Sequence, residues 1–165
     1  MTLGCGKDDM LTVEIPGRGR LEIGHLVSDL NGTLAVDGVV PAAVLERLRA
    51  LNNSVRIHVV TADTFGTAAR LRGFDMQVQA LAPGDHVEAK ATLVRALGAS
   101  QTIAIGNGSN DEGMVREAAV GIAIVGPEGA YARTVLAADI VVTRIEDALD
   151  LLLTPARLIA TLRTS

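Results

Sequence analysis

Six side chains in this chain are suited to work on a phosphoryl group, and five of them stand just after short apolar runs. Asp29 ends the run His25–Asp29, with Leu30, Asn31, Gly32 and Thr33 behind it; Thr61 ends Val55–Thr61 and is followed by Ala62 and Asp63. Asn107 and Asp111 lie in Gly106-Asn107-Gly108-Ser109-Asn110-Asp111, and Lys90 sits in the first turns of an amphipathic stretch from Val87 to Leu97. A phosphate monoester or acyl phosphate is dianionic and repels a carboxylate nucleophile, so charge must be neutralised before attack. Mg²⁺ favours hard oxygens and keeps several waters, and Asp29, a backbone carbonyl near Asn31, Asn107 and Asp111 could hold it. Asp29 could then attack phosphorus to give an aspartyl phosphate. The Thr61 hydroxyl, the Lys90 ammonium and the backbone N–H groups of Leu30, Asn31 or Ala62 would meet the developing equatorial charge.

Those residues must be brought to one rim, and the apolar rhythm supplies the means. Strands are expected at His25–Asp29, Val55–Thr61, Met76–Leu81, Thr102–Ile105, Gly121–Val125 and Asp139–Val142. Helices are expected at Pro41–Leu51, Phe65–Arg72, Val87–Leu97, Asn110–Ala119 and Ala130–Ala137. Near-continuous apolar strands alternating with helices imply parallel strands covered on both faces and joined by right-handed crossovers. The expected fold class is therefore α/β: a three-layer α/β/α, Rossmann-like sandwich with a mainly parallel sheet. Ligands of such sheets bind at the carboxyl ends of the strands, where Asp29, Thr61 and the Gly106–Asp111 segment fall. Leu11–Ile15 and Leu21–Ile23 flank Pro16, Gly17 and Gly19 and read as an N-terminal edge hairpin. Two short helices close the chain, Glu146–Leu153 and one opening at Thr154-Pro155. Thr154 is the expected cap, and Leu149, Leu152, Leu153, Leu158, Ile159 and Leu162 are expected against the sheet.

The 165 residues, 48% of them hydrophobic, suit one domain over residues 11–165 behind a polar leader over residues 1–10. Cys5 is the single cysteine, which excludes an intrachain disulfide, a zinc site built on cysteines and a CxxC pair, and suits a reducing, cytoplasmic setting. A net charge of −4 without a basic block argues against a nucleic-acid partner, as do aromatics at 2% of the chain. No apolar stretch approaches a membrane span.

Taken together, the four segments resemble the signature blocks of the haloacid dehalogenase (HAD) superfamily. Asp29-Leu30-Asn31-Gly32-Thr33-Leu34 is similar to the phosphorylation loop of P-type ATPases, Thr61-Ala62-Asp63 to their Thr-Gly-Asp, and Gly106–Met114 to their Gly-Asp-Gly-x-Asn-Asp segment. The match is best to small soluble, P-type-ATPase-like members and covers about Leu21 to Val142. The resemblance implies a HAD-like fold and a Mg²⁺-dependent phosphohydrolase. It implies Asp29 as nucleophile, Thr61 and Lys90 as phosphoryl ligands, and Asp111 and Asn107 lining the Mg²⁺ site.

Two departures carry consequences. The family's phosphatases place an acid/base Asp where this chain has Asn31, and loss of such a group forfeits ~10²- to 10⁴-fold in rate. Acyl and aryl phosphates, with good leaving groups, should suffer least. Asn107 replaces a second Asp; its amide oxygen can ligate a cation but brings no charge. The gaps from Asp29 to Thr61 and from Thr61 to Lys90 are too short for a cap domain, leaving at most a flap hairpin around Asp37-Gly38. Such an open site favours a large phosphorylated substrate, a protein partner, or a homo-oligomer whose neighbour supplies a lid. Asn31 and Asn107 equally suit a non-enzymatic phospho-acceptor that keeps its phosphate as a signal. Asp63 reads either as a helix cap or as a site residue, and His25 and His58 as hydrogen-bonded histidines of the sheet.

Overall fold

The structure, a computed structural model, describes residues 10–62, 66, 68–71 and 73–165. Cys5, Asp63 and the leader before Met10 lie outside the described residues. Eight strands and six helices are described: β1 (Leu11–Ile15), β2 (Gly19–Ile23), β3 (His25–Asp29), α1 (Ala42–Leu51), β4 (Arg56–Thr61), β5 (Gln77–Ala80), α2 (His86–Leu97), β6 (Thr102–Gly106), α3 (Glu112–Glu117), β7 (Val120–Ile124), α4 (Ala132–Ala137), β8 (Ile140–Val142), α5 (Ile145–Leu153) and α6 (Pro155–Leu162). Six strands form one parallel sheet in the order β5-β4-β3-β6-β7-β8.

Alternation along the central strands sends side chains to two cores. Leu26, Ile57, Ile103, Ile105 and Ile122 join Leu48, Leu149, Leu152 and Leu158 on the face covered by α1, α5 and α6. Val27, Val60 and Ala104 meet Val94, Met114 and Val115 of α2 and α3 on the other face. This is the expected three-layer sandwich, and among the described residues no cap stands over it. No described helix is long and apolar enough to cross a membrane.

Five expectations are corrected. The N-terminal hairpin forms, with Leu11 opposite Ile23 and Ile15 opposite Gly19, but as its own two-stranded antiparallel sheet and not as an edge of the large one. Its Val13, Ile15 and Ile23 are buried in the same core as α6, so apolar contact fixes it there without ladder hydrogen bonds to β3. Of the helix expected over Phe65–Arg72, Phe65, Thr67 and Arg72 lie outside the described residues, and the described remainder holds a single 3₁₀ turn, Ala68–Leu71. The helix expected from Asn110 begins as a 3₁₀ turn over Ser109–Asp111, closed by the Asp111 N–H on the Gly108 carbonyl at 3.1 Å, and α3 follows it. At α6, Pro155 takes the first turn as expected, but Thr154 makes no side-chain capping bond, and Leu153 is exposed.

Candidate active site

Strand β3 is central in the sheet, so its carboxyl end opens between the loops that follow β4 and β6. Asp29 is the last residue of β3 and Thr61 the last of β4, in adjacent parallel strands. Both are buried, and both line a cavity of about 320 Å³ with Asn31, Ala62, Asn107, Gly108, Asn110 and Glu128. The chain leaves β3 through a tight turn in which the Ala35 N–H donates to the Leu30 carbonyl at 2.8 Å. Gly32 has φ +78 there, and a Cβ on it would fall 2.6 Å from Asn107 Nδ2 and 2.7 Å from Glu128 Oε2. Only glycine fits both that conformation and that approach. Beyond it stands the expected flap: Val36 and Val39 exchange backbone hydrogen bonds of 3.0 Å around Asp37-Gly38, both at positive φ, a two-residue primed turn.

Lys90, fully buried on α2, is the electrostatic centre. Its Nζ donates to Asp29 Oδ1 at 2.9 Å and to Asp111 Oδ1 at 2.7 Å. Asp111 Oδ2 in turn accepts the backbone N–H groups of Asn107 at 3.0 Å and Gly108 at 2.9 Å. Burial works to lower the Lys90 pKa, but Asp111 and Asp29 outweigh it and hold it above the ordinary lysine value. Burial, and then the charge of Asp111, push the Asp29 carboxyl up to about 6 against the opposing pull of Lys90. At neutral pH Asp29 is still mostly ionised.

Asn107 is held by two loops at once, the one after β3 and the one between β7 and α4. Its Oδ1 accepts the Thr33 hydroxyl at 3.3 Å, its Nδ2 donates to the Gly129 carbonyl at 3.3 Å, and its own carbonyl accepts the Tyr131 N–H at 2.8 Å. The structure thus brings Asp29, Asn31, Thr61, Ala62, Lys90, Asn107 and Asp111 to one rim. Neither Lys90 nor Asp111 lines the cavity itself: both are buried, and the two oxygens of Asp111 are engaged, one by Lys90 and the other by the backbone N–H groups of Asn107 and Gly108. Sequence reading missed Asn110 and Glu128. Asn110 lay inside a segment already singled out, and Glu128 follows β7, whose carboxyl end belongs to the same rim.

The donor set fits a hard cation. The Asp29 carboxylate, the amide oxygen of Asn107 and the exposed Asn31 segment share one cavity, and all offer oxygen. Among the described residues no three of His, Cys, Asp and Glu are grouped to hold a metal by themselves, so such a site would mix carboxylate, amide, backbone carbonyl and water.

No protein-family model matches the chain. An uncharacterized protein of Methanocaldococcus jannaschii is 57% identical over 61 residues, a stretch that spans 37% of this chain and 66% of that protein. The fold is similar to that of 3-deoxy-D-manno-octulosonate 8-phosphate phosphatase from Moraxella catarrhalis, solved with magnesium, phosphate and KDO, at 20% identity and a TM-score of 0.67, over 86% of this chain and 94% of that one. The cobalt-bound form of deoxy-D-mannose-octulosonate 8-phosphate phosphatase from Haemophilus influenzae aligns at 16% identity and a TM-score of 0.65, over 82% of this chain and 89% of that one. A Streptomyces avermitilis protein described as a HAD family hydrolase aligns at 18% identity and a TM-score of 0.62, over 79% of this chain and 82% of that one. Identities this low speak for the fold alone, and on that ground the chain is built on the fold of the HAD-superfamily hydrolases.

Proposed function

We propose that this chain is a Mg²⁺-dependent phosphohydrolase that works through an aspartyl phosphate on Asp29. The observation that carries the reading is the placement of Asp29: it ends the central strand, lines an open cavity with Thr61, Ala62 and Asn107, and receives a buried lysine that Asp111 holds in position. The Asp29 carboxylate oxygen attacks phosphorus, the bond from phosphorus to the leaving oxygen breaks, and the leaving group departs with that electron pair. Water then attacks the phosphoryl group, releasing phosphate and restoring the carboxylate. Asp29, the Asn31 carbonyl and Asn107 would hold Mg²⁺, whose charge would offset that of the phosphoryl oxygens. Thr61 and the N–H groups of Leu30, Asn31 and Ala62 meet the remaining phosphoryl charge, while Lys90 orients Asp29 and its ammonium stands beside the reacting carboxylate. Asn31 cannot donate a proton, so acyl and aryl phosphates are the favoured substrates.

Hydrolysis of acetyl phosphate and para-nitrophenyl phosphate, with and without Mg²⁺, tests this. The parent should turn over only with the cation, and Asp29→Asn should lose at least ~10²-fold. A variant as active as the parent, or a parent inactive on both substrates, rejects the hydrolase. Asn31 favours a second reading, a phospho-acceptor that retains its phosphate. A persistent adduct in intact-mass spectrometry without turnover would select it.

A further inference from the structure

We propose that the carboxylate of Glu128 supplies, across one layer of water, the negative charge that Asn107 does not bring to the cation. The inference rests on the metal-dependent reading above. Gly126-Pro127-Glu128-Gly129 is a tight turn directly after β7, closed by the Gly129 N–H on the Gly126 carbonyl at 2.9 Å. Proline in the second position and glycine in the fourth suit such a turn and leave Glu128 on its corner. The bond from Asn107 Nδ2 to the Gly129 carbonyl latches the turn to the loop after β6. Glu128 Oε2 therefore comes down over Gly32 beside the Asn107 amide, the two lying 2.7 Å and 2.6–3.1 Å from the point where a residue-32 side chain would begin. Both line the cavity that holds Asp29 and Asn31.

The charge count points the same way. Lys90 is shared between Asp29 and Asp111, whereas Glu128 makes no hydrogen bond or ion pair among the described residues. Glu128 and Asp29 line the same small cavity with no counter-charge on Glu128, and a cation bound there would be attracted by both carboxylates. Among the described residues no three acidic groups share a common point, so Glu128 acts through the ion's own waters, which Mg²⁺ gives up reluctantly. Its closeness to Asn107 places it on the side of the cation and not at the leaving group.

Mn²⁺ added alone, with the free hydrated ion followed by electron paramagnetic resonance and Mg²⁺ as competitor, reads the affinity directly. The proteins are the parent, Glu128→Gln, Asn107→Asp and the double variant, with folding checked by thermal midpoint. Glu128→Gln should weaken binding about tenfold at low salt, and the gap should shrink by half or more at about 0.5 M KCl, as expected for a charge acting through water. Asn107→Asp should tighten binding, and in that background Glu128→Gln should cost less than in the parent. Equal affinities for parent and Glu128→Gln overturn the inference, even if hydrolysis slows, and leave the metal-dependent reading standing. An undiminished loss in the Asn107→Asp background also overturns it. No binding by any of the four overturns both.

Discussion

The ammonium of Lys90 sits between two carboxylates that would otherwise repel, and this one contact organises the candidate site. Removing it would leave Asp29 and Asp111 buried without a counter-charge, the costly way to break an ion pair. Asn31 carries the sharpest prediction at this scale. It is exposed in the cavity wall, two residues after Asp29, where a carboxylic acid could protonate a departing alkoxide. Asn31→Asp should raise turnover of an alkyl phosphate by ~10²-fold while changing acetyl phosphate hydrolysis less than about threefold. Equal gains on both substrates, or none on the alkyl ester, would show that leaving-group protonation is not what this position lacks. Asp29, Thr61 and Asn107 were legible in the sequence because each follows an apolar strand, and strand ends define the rim. The contacts of Asp111 were not: its separation from Lys90 along the chain says nothing of a 2.7 Å bond, and the backbone amides that hold its other oxygen exist only once the 3₁₀ turn has formed. Glu128 was hidden in a turn whose composition reads as punctuation.

At the scale of elements, adjacent strands β3 and β4 carry a histidine pair away from the cavity. His25 Nδ1 and His58 Nε2 are 3.0 Å apart, the hydrogen-bonded arrangement expected of two histidines within the sheet. Burial, then the neighbouring His25 and Arg56, lower the His58 pKa to about 4, although a hydrogen bond with Gln77 opposes the shift. His25 is lowered as well, by burial and Arg56. A histidine neutral in the fold and protonated in the unfolded chain gives stability that is fully present above its unfolded pKa and is lost as pH falls towards the folded value. The loss from His58 alone is on the order of 3 kcal/mol at most, spread between about pH 6.5 and about pH 4. Asp29, with its raised pKa, acts in the opposite sense, so the comparison must be made between proteins at each pH. Thermal midpoints of the parent should fall more steeply between about pH 7 and about pH 4.5 than those of His25→Gln/His58→Gln, and parallel curves would refute the pair's contribution. Periodicity placed these strands well because their side chains are apolar on both faces. It served the hairpin less well, since docking by side chains rather than by a ladder leaves no mark in the pattern.

For the molecule as a whole, the sheet offers its rim without a cover among the described residues beyond the flap at Val36–Val39 and the turn at Gly126–Gly129. On the proposed reading, a cavity of about 320 Å³ would hold a phosphoryl group and its counter-ion, while most of a larger leaving group would extend into solvent. Discrimination by size then has little to act on, because the atoms that differ between substrates are not enclosed. Discrimination by leaving-group chemistry should be steep, because no acid stands ready at Asn31 and the departing oxygen must carry its own charge. Two series of aryl phosphates separate these effects, one varying leaving-group pKa at constant bulk and the other varying bulk at constant pKa. In the first, kcat/KM should fall steeply as leaving-group pKa rises, and the slope should flatten in Asn31→Asp. In the second it should stay within about threefold. A sharp loss with bulk would mean that the site is enclosed in solution, by a neighbouring copy or a partner, and that the openness of this rim does not govern selectivity.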